Sequence, residues 1–378
     1  MKLYRLNFEQ FVSAISFINL PEHSSKEFLF DVYNLVSDTI DALYESKAIP
    51  ESTTLSLNDI IFYIVGEYCY SIAIRSKEEI EAFNSNEQIK ESMAGVVVDK
   101  FISLSMFSFK EKKIANKFLP TASSLKLYLN FISNILSTRT KNNPNETLIN
   151  DLMVKSISLA SCVLELLIEG YECEAFATWR TLHESECTLI ILQKYGEKAI
   201  EAYLKHMKYG IAFKNGFTDK ESQDKIFVQI KNEMKAKNLK SKDMKKFIEY
   251  GWLYSIEEVE KDETFRLNFR DGLEKIAGLS DYAKRYERSS ELIHSTPMLF
   301  YANKEYYYFI TLLSLYESFF RLEQAFFNSL KDVASIDQLE KYNSLRKVYF
   351  SQLINVHKRE SNNFINWQKA NAVSFYLK

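Results

Sequence analysis

Apolar residues recur at intervals of three and four along Asn7–Ile18, Ser25–Ser46 and Ser56–Arg75, the period of helices that bury one face. Ser25 and Ser56 stand where a hydroxyl can accept from the free amides of a first turn, so both are expected N-caps. The same period continues through Lys77–Ser108 and Thr121–Arg139. "AGVVVDKF" is the nearest approach to a strand, but its flanks are helical and it is read as helix. Pro144 disfavours helix at Asn143, and "TKNNPNET" (Thr140–Thr147) is therefore the clearest break. Leu148–Glu169 and Glu172–Tyr195 follow, separated by little more than Gly170 and Tyr171, which predicts a tight antiparallel helical pair with glycine ending the first member. Further helices are expected over Glu197–Phe213, Lys220–Lys237, Ser241–Lys261, Leu279–Ser295, Lys304–Leu330 and Ile336–Trp367.

The segment "GYECEAFATWRTLHESECTLIIL" (Gly170–Leu192) is apolar nearly all round yet carries Arg180, His183, Glu184 and Glu186. A helix with so little polar face is usually buried, and a buried arginine is costly unless carboxylates and acceptors reach it from a second helix. "RYERSSELIHSTP" (Arg285–Pro297) is the candidate second helix, with Tyr286, Arg288, Ser290, Glu291 and His294 gathered before a proline that should end it. Ser290 precedes His294 by four residues and Glu291 by three, placing hydroxyl, carboxylate and imidazole on one side. Such an imidazole suits general acid–base work, and the same grouping is equally a common structural network.

Gly170, Tyr171, Ala175, Arg180, Thr181, Leu182 and Glu184, followed by Tyr286, Ser290 and His294, resemble the motifs of a bacterial helical family known only as a domain of unknown function. The likeness covers roughly residues 148–303 and implies no substrate. Arg288 and His294, with five residues between them, also resemble the Arg-x(4–6)-His pattern of the HEPN superfamily. That resemblance implies a metal-independent endoribonuclease or toxin of bacterial antiviral defence, in which His294 moves protons, Arg288 stabilises phosphate charge, and the site forms in a dimer. Arg180, Glu184, His183, Ser290, Glu291 and Tyr286 would form the supporting pocket. Six positions on an unbroken helix set two side chains about 120° apart, so the pair converges only where the helix starts or ends nearby. Ser289, directly after the arginine, departs from the polar Asn, Asp or His that the pattern favours.

Composition narrows the alternatives. The 378 residues exceed what one hydrophobic core usually serves, and 9 glycines with 5 prolines leave few turns for hairpins, barrels or phosphate loops. A net charge of −2 gives no general attraction to nucleic acid, so RNA contact needs a local patch. The window Lys231–Lys246 is the strongly basic one; Lys235, Lys237, Lys240, Lys242, Lys245 and Lys246 are the expected RNA-backbone patch, against the plainer reading of a solvated connector. His183 and Cys187 are four apart with Glu186 between them, but no compact Cys/His set completes a zinc site, so no metal or cofactor is expected. No P-loop, dinucleotide, GxSxG or HExxH motif occurs. The two most apolar windows, Leu152–Ile168 and Tyr306–Phe327, both carry charges and read as buried helices rather than membrane spans. Four cysteines without CxxC pairs, and no signal-peptide pattern, fit a reducing cytoplasmic setting.

The expectation is an all-α, multi-helix bundle: an N-terminal helical region over 1–140, a central bundle with the polar pocket over 141–330, and a C-terminal helix over 331–378 that packs back or mediates dimerisation. Two functions follow. One is the HEPN-like nuclease, with RNA and a homodimer or operon partner protein. The other is a non-catalytic helical sensor or interaction module in which the same pocket organises the bundle.

Overall fold

The computed structural model describes residues 5–48, 57–137, 143–214, 216, 219–293, 303–331 and 335–371, all helices, turns and connections with no strand among them. The chain divides into two compact units, Met1–Lys113 and Ile114–Lys378.

In the first unit, α1 (Phe8–Ile15), α2 (Lys26–Glu45), α3 (Leu57–Ile72), α4 (Lys77–Asn84) and the early turns of α5 (Glu87–Ser137) bury Phe11, Phe28, Tyr33, Ile64, Tyr68 and Val97 together. Ser25 caps α2 as expected, accepting from the Phe28 amide at 3.1 Å; Ser56 lies outside the described residues. The break expected between Ser108 and Thr121 is absent. Helix α5 runs through it with Pro120 inside, and "AGVVVDKF" is indeed helical.

In the second unit, Asn143 caps α6 (Pro144–Ile168) by accepting from the Glu146 amide, with Pro144 at the first helical position where its missing N–H costs nothing. Gly170 adopts φ 86°, and the Tyr171 amide turns back to the Leu166 carbonyl at 2.8 Å, ending α6 and starting α7 (Glu172–Tyr195). Helix α8 (Glu197–Phe213) and α9 (Lys220–Ala236) come next. The single helix expected over Ser241–Lys261 is instead a chain of short pieces. These are a 3₁₀ turn at Ser241–Asp243, α10 (Met244–Tyr250), a second 3₁₀ turn at Gly251–Ser255 and α11 (Glu257–Glu260). A π-helical turn over Phe269–Glu274, unforeseen in the sequence, precedes α12 (Ala283–Ile293). Helices α13 (Lys304–Lys331) and α14 (Ile336–Ala370) complete the unit.

Helix α7 lies between two cores. Its first turns pack with α6, α13, α14 and the later turns of α5 around Trp179, Phe176, Tyr307 and Phe319. Its last turns pack with α8, α9, α10 and the 3₁₀ turn around Ile191, Tyr209, Phe247 and Trp252. The expected break near residue 140 thus separates α5 from α6 inside this unit. Helix α14 packs back on α13, where Arg346 and Tyr342 both reach Glu323 at 2.7–2.8 Å and Phe364 meets Phe309. No described helix is long and apolar enough to cross a membrane.

Candidate functional site

The ionisable stripe of α7 splits into two. Trp179, His183 and Glu186, at i, i+4 and i+7, face the core and are each 0 % exposed. Arg180 and Glu184, about 100° around the helix, stand half-buried at its edge.

On the core side, His183 stacks on Trp179 with ring centroids 5.1 Å apart. Its Nε2 lies 2.8 Å from Glu274 Oε1 on the π-helical turn, and its Nδ1 lies 3.5 Å from Glu186 Oε2. Glu186 also receives Arg321 of α13, which contacts both of its oxygens, donates to the Tyr282 hydroxyl at 2.6 Å and lies over that ring at 4.4 Å. Arg321 and the His183 ring thus face two carboxylates whose residues are 0 % exposed. Burial favours the neutral imidazole, but hydrogen bonds with Cys187, Glu186 and Glu274 outweigh it and push His183 above its usual range. Burial likewise opposes charge on Glu186, yet Arg321 and His183 hold its carboxyl below the usual range. Burial raises the Cys187 thiol, which remains protonated at neutral pH and neutral beside His183. The carboxylates are therefore the partners that keep the imidazolium charged. Glu274 Oε2 makes no hydrogen bond among the described residues.

On the edge side, the two segments a hundred residues apart do meet. Arg180 donates to Ser290 Oγ at 3.0 Å and to the Tyr286 hydroxyl at 2.8 Å, and pairs with Glu184 at 3.3 Å. Its guanidinium lies 4.5 Å from the Tyr286 ring centroid, and Tyr286 in turn donates to Glu184 and stacks on Phe269 at 4.1 Å. Burial and the neighbouring Glu184 carboxylate raise the Tyr286 phenol above its usual range. This cluster clamps α12 to α7.

The remaining expected residues fall elsewhere. Arg288 is two residues from both Tyr286 and Ser290, about 200° around α12, and donates to the Tyr306 hydroxyl on α13. It does not join Arg180. Glu291 is exposed and is not a partner of Arg180. His294 lies outside the described residues. Lys235, Lys237, Lys240, Lys242, Lys245 and Lys246 are all exposed, on the end of α9 and on the short helices after it. Lys237 pairs with Glu260 at 2.6 Å. Among the described residues no group of three or more His, Cys, Asp or Glu is arranged to hold a metal ion.

Residues 146–305 match the model of a family of unknown function (DUF5677). The matched span contains the whole Arg180 clamp together with His183, Glu186 and Glu274, and stops before Arg321. No curated protein and no solved structure matches the chain.

Three residues of the buried set were not singled out from the sequence. Arg321 was visible as a charge interrupting the apolar window Tyr306–Phe327, the same signal that marks α7, and pairing the two interruptions would have found it. Glu274 and Tyr282 carry no such signal, because a π-helical turn and a 3₁₀ turn present them.

Proposed function

We propose that the chain is a non-catalytic helical interaction module whose α7 stripe organises the central bundle. The observation that carries this reading is the set of intramolecular partners along that stripe. His183 and Arg321 face Glu186 and Glu274, while Arg180 is held by Glu184, Tyr286 and Ser290. A general base needs a free lone pair aimed at a substrate proton, and a phosphate clamp needs an uncommitted cation. Along α7, Arg180 is committed to Glu184, Tyr286 and Ser290, Glu186 to Arg321, and His183 Nε2 to Glu274. A charge-balanced set inside an apolar bundle contributes specificity of packing by penalising any register in which one member is left alone.

A second reading keeps the metal-independent endoribonuclease or toxin of bacterial defence, cytoplasmic and dimeric, with Arg288 and His294 as the pair. It is favoured by the placement of Arg288, half-buried against Tyr306 and away from the α7 cluster, on a helix described as far as Ile293, next to His294 in sequence. Total RNA incubated in EDTA with an excess of the protein, or of its His294→Ala variant, separates the two. The module leaves RNA intact in both tubes. Cleavage by the unaltered protein that the variant lacks would overturn the module and establish the nuclease.

A further inference from the structure

A cavity of about 560 Å³ opens between α8, α10 and the Gly251–Ser255 turn, apart from the Arg180 clamp. That volume lies in the range of small-molecule sites. Its apolar wall is aromatic. Trp252, 2 % exposed, meets Tyr203 edge-on with ring centroids 5.2 Å apart, and neither the indole N–H nor the Tyr203 hydroxyl has a hydrogen-bond partner among the described residues. With no acceptor in the protein among the described residues, the indole N–H is free to donate to a ligand. Beside the wall, Met207, Ile211 and Phe213 remain 50, 41 and 42 % exposed on α8 and form a partly open apolar rim.

The polar groups on the lining are of two kinds. His206 Nδ1 is 3.3 Å from the Ile248 carbonyl, which can only accept, so Nδ1 carries the proton and Nε2 is left as an acceptor. Burial lowers this imidazole to about 4, so it is neutral at physiological pH. Glu249 adds an exposed carboxylate, a second acceptor. Lys214 and Lys245 are exposed and form no ion pair among the described residues, and Lys245 belongs to the basic run that continues through Lys246. A ligand matching this lining is flat and aromatic, carries an amine to donate to the acceptors, and carries an anion for the lysines.

We propose that the cavity binds a nucleoside monophosphate unit with an amine-bearing base, free or at the end of an RNA strand. The base rests against Trp252 and Tyr203, its amine toward His206 and Glu249, and the phosphate on Lys214 and Lys245. The site stands whether or not the bundle is catalytic, because it shares no residue with the α7–α12 clamp or with Arg288.

Isothermal titration of the full chain with AMP, UMP, inorganic phosphate and a 5′-phosphorylated oligoadenylate tests it. AMP binds, UMP binds several-fold more weakly for want of the amine, and phosphate alone does not register. The Lys214→Ala/Lys245→Ala variant, altered only at exposed positions, weakens AMP about tenfold or more by removing charged hydrogen bonds. Gly210→Leu fills the cavity, since a Cβ there meets only Ile248 Cγ2 at 3.9 Å, and abolishes binding while helical circular dichroism stays unchanged. Tighter binding of the oligoadenylate than of AMP identifies a strand end as the ligand, and equal binding identifies the free nucleotide. Failure of both AMP and the oligoadenylate to bind at millimolar concentration overturns the proposal. So does AMP binding untouched by the two variants, or UMP equal to AMP.

Discussion

Arg321→Met isolates the charge balance around α7. The methionine keeps most of the apolar stem but leaves Glu186, 0 % exposed, with His183 at 3.5 Å as its remaining cationic partner. Removing one member of a buried pair costs about 3–5 kcal/mol because the survivor is a desolvated charge. The Arg321 side chain is 23 % exposed and His183 stays in place, so the lower end, about 3 kcal/mol, applies. Adding Glu186→Gln removes the stranded carboxylate and leaves His183 and Glu274 as a balanced pair. The double variant should therefore recover about 2 kcal/mol of the loss. Urea unfolding followed by tryptophan fluorescence is the assay, because Trp179, Trp252 and Trp367 all lie in the second unit and report on it alone. A loss under about 1 kcal/mol in the single variant, or a double variant that loses the sum of both changes, would refute the reasoning.

Two further outcomes follow from the geometry. Burial favours a neutral Glu317, but His357 and Arg285 hold it down to about 2. Its folded pKa is below its unfolded value, so its contribution is present above about pH 4.5 and disappears as pH falls from there toward 2. Glu317→Gln should lower the melting temperature at neutral pH and flatten the acid limb of its profile over that interval; an unchanged limb contradicts this. Tyr286→Phe deletes both the bond to Glu184 and the one from Arg180, costing about 1–2 kcal/mol in chemical denaturation, and amide exchange should quicken in α12 before α6. Uniform exchange rates would show that the clamp does not hold α12.

Helices α7 and α8 were legible to the residue because each is bounded by glycine or a tight turn and buries a wide apolar face. The basic stretch after α9 was not. Its helical period is real, but the chain must bend where Gly251 approaches His206 so closely that a Cβ there would sit 2.6 Å from the ring. The break expected between Ser108 and Thr121 did not form, although Pro120 lies inside α5, because Phe118, Ala122 and Leu125 around it are buried in the core. At the site, the polar interruptions of α7 and α12 announced their meeting, since an apolar helix gains nothing from unpaired charge. What they did not announce was the division of labour. His183 and Glu186 turn to α13 and to the π-helical turn, Arg180 and Glu184 turn to α12, and Arg288 faces away from both. Side-chain direction depends on which neighbour covers which face, and no spacing rule along one helix contains that information.

The charge balance along α7 turns on the charge state of His183. A ring held between two carboxylates has a folded pKa above its unfolded 6.5, so its stabilising contribution is complete below that pH and declines as pH rises from 6.5 through the higher folded value. Nitrogen-15 chemical shifts of the His183 imidazole, recorded from pH 6 to 9, measure this directly. Both ring nitrogens should stay protonated across the whole range; a neutral ring, or a titration centred near 6.5, would mean that Glu186 and Glu274 do not hold a charged His183.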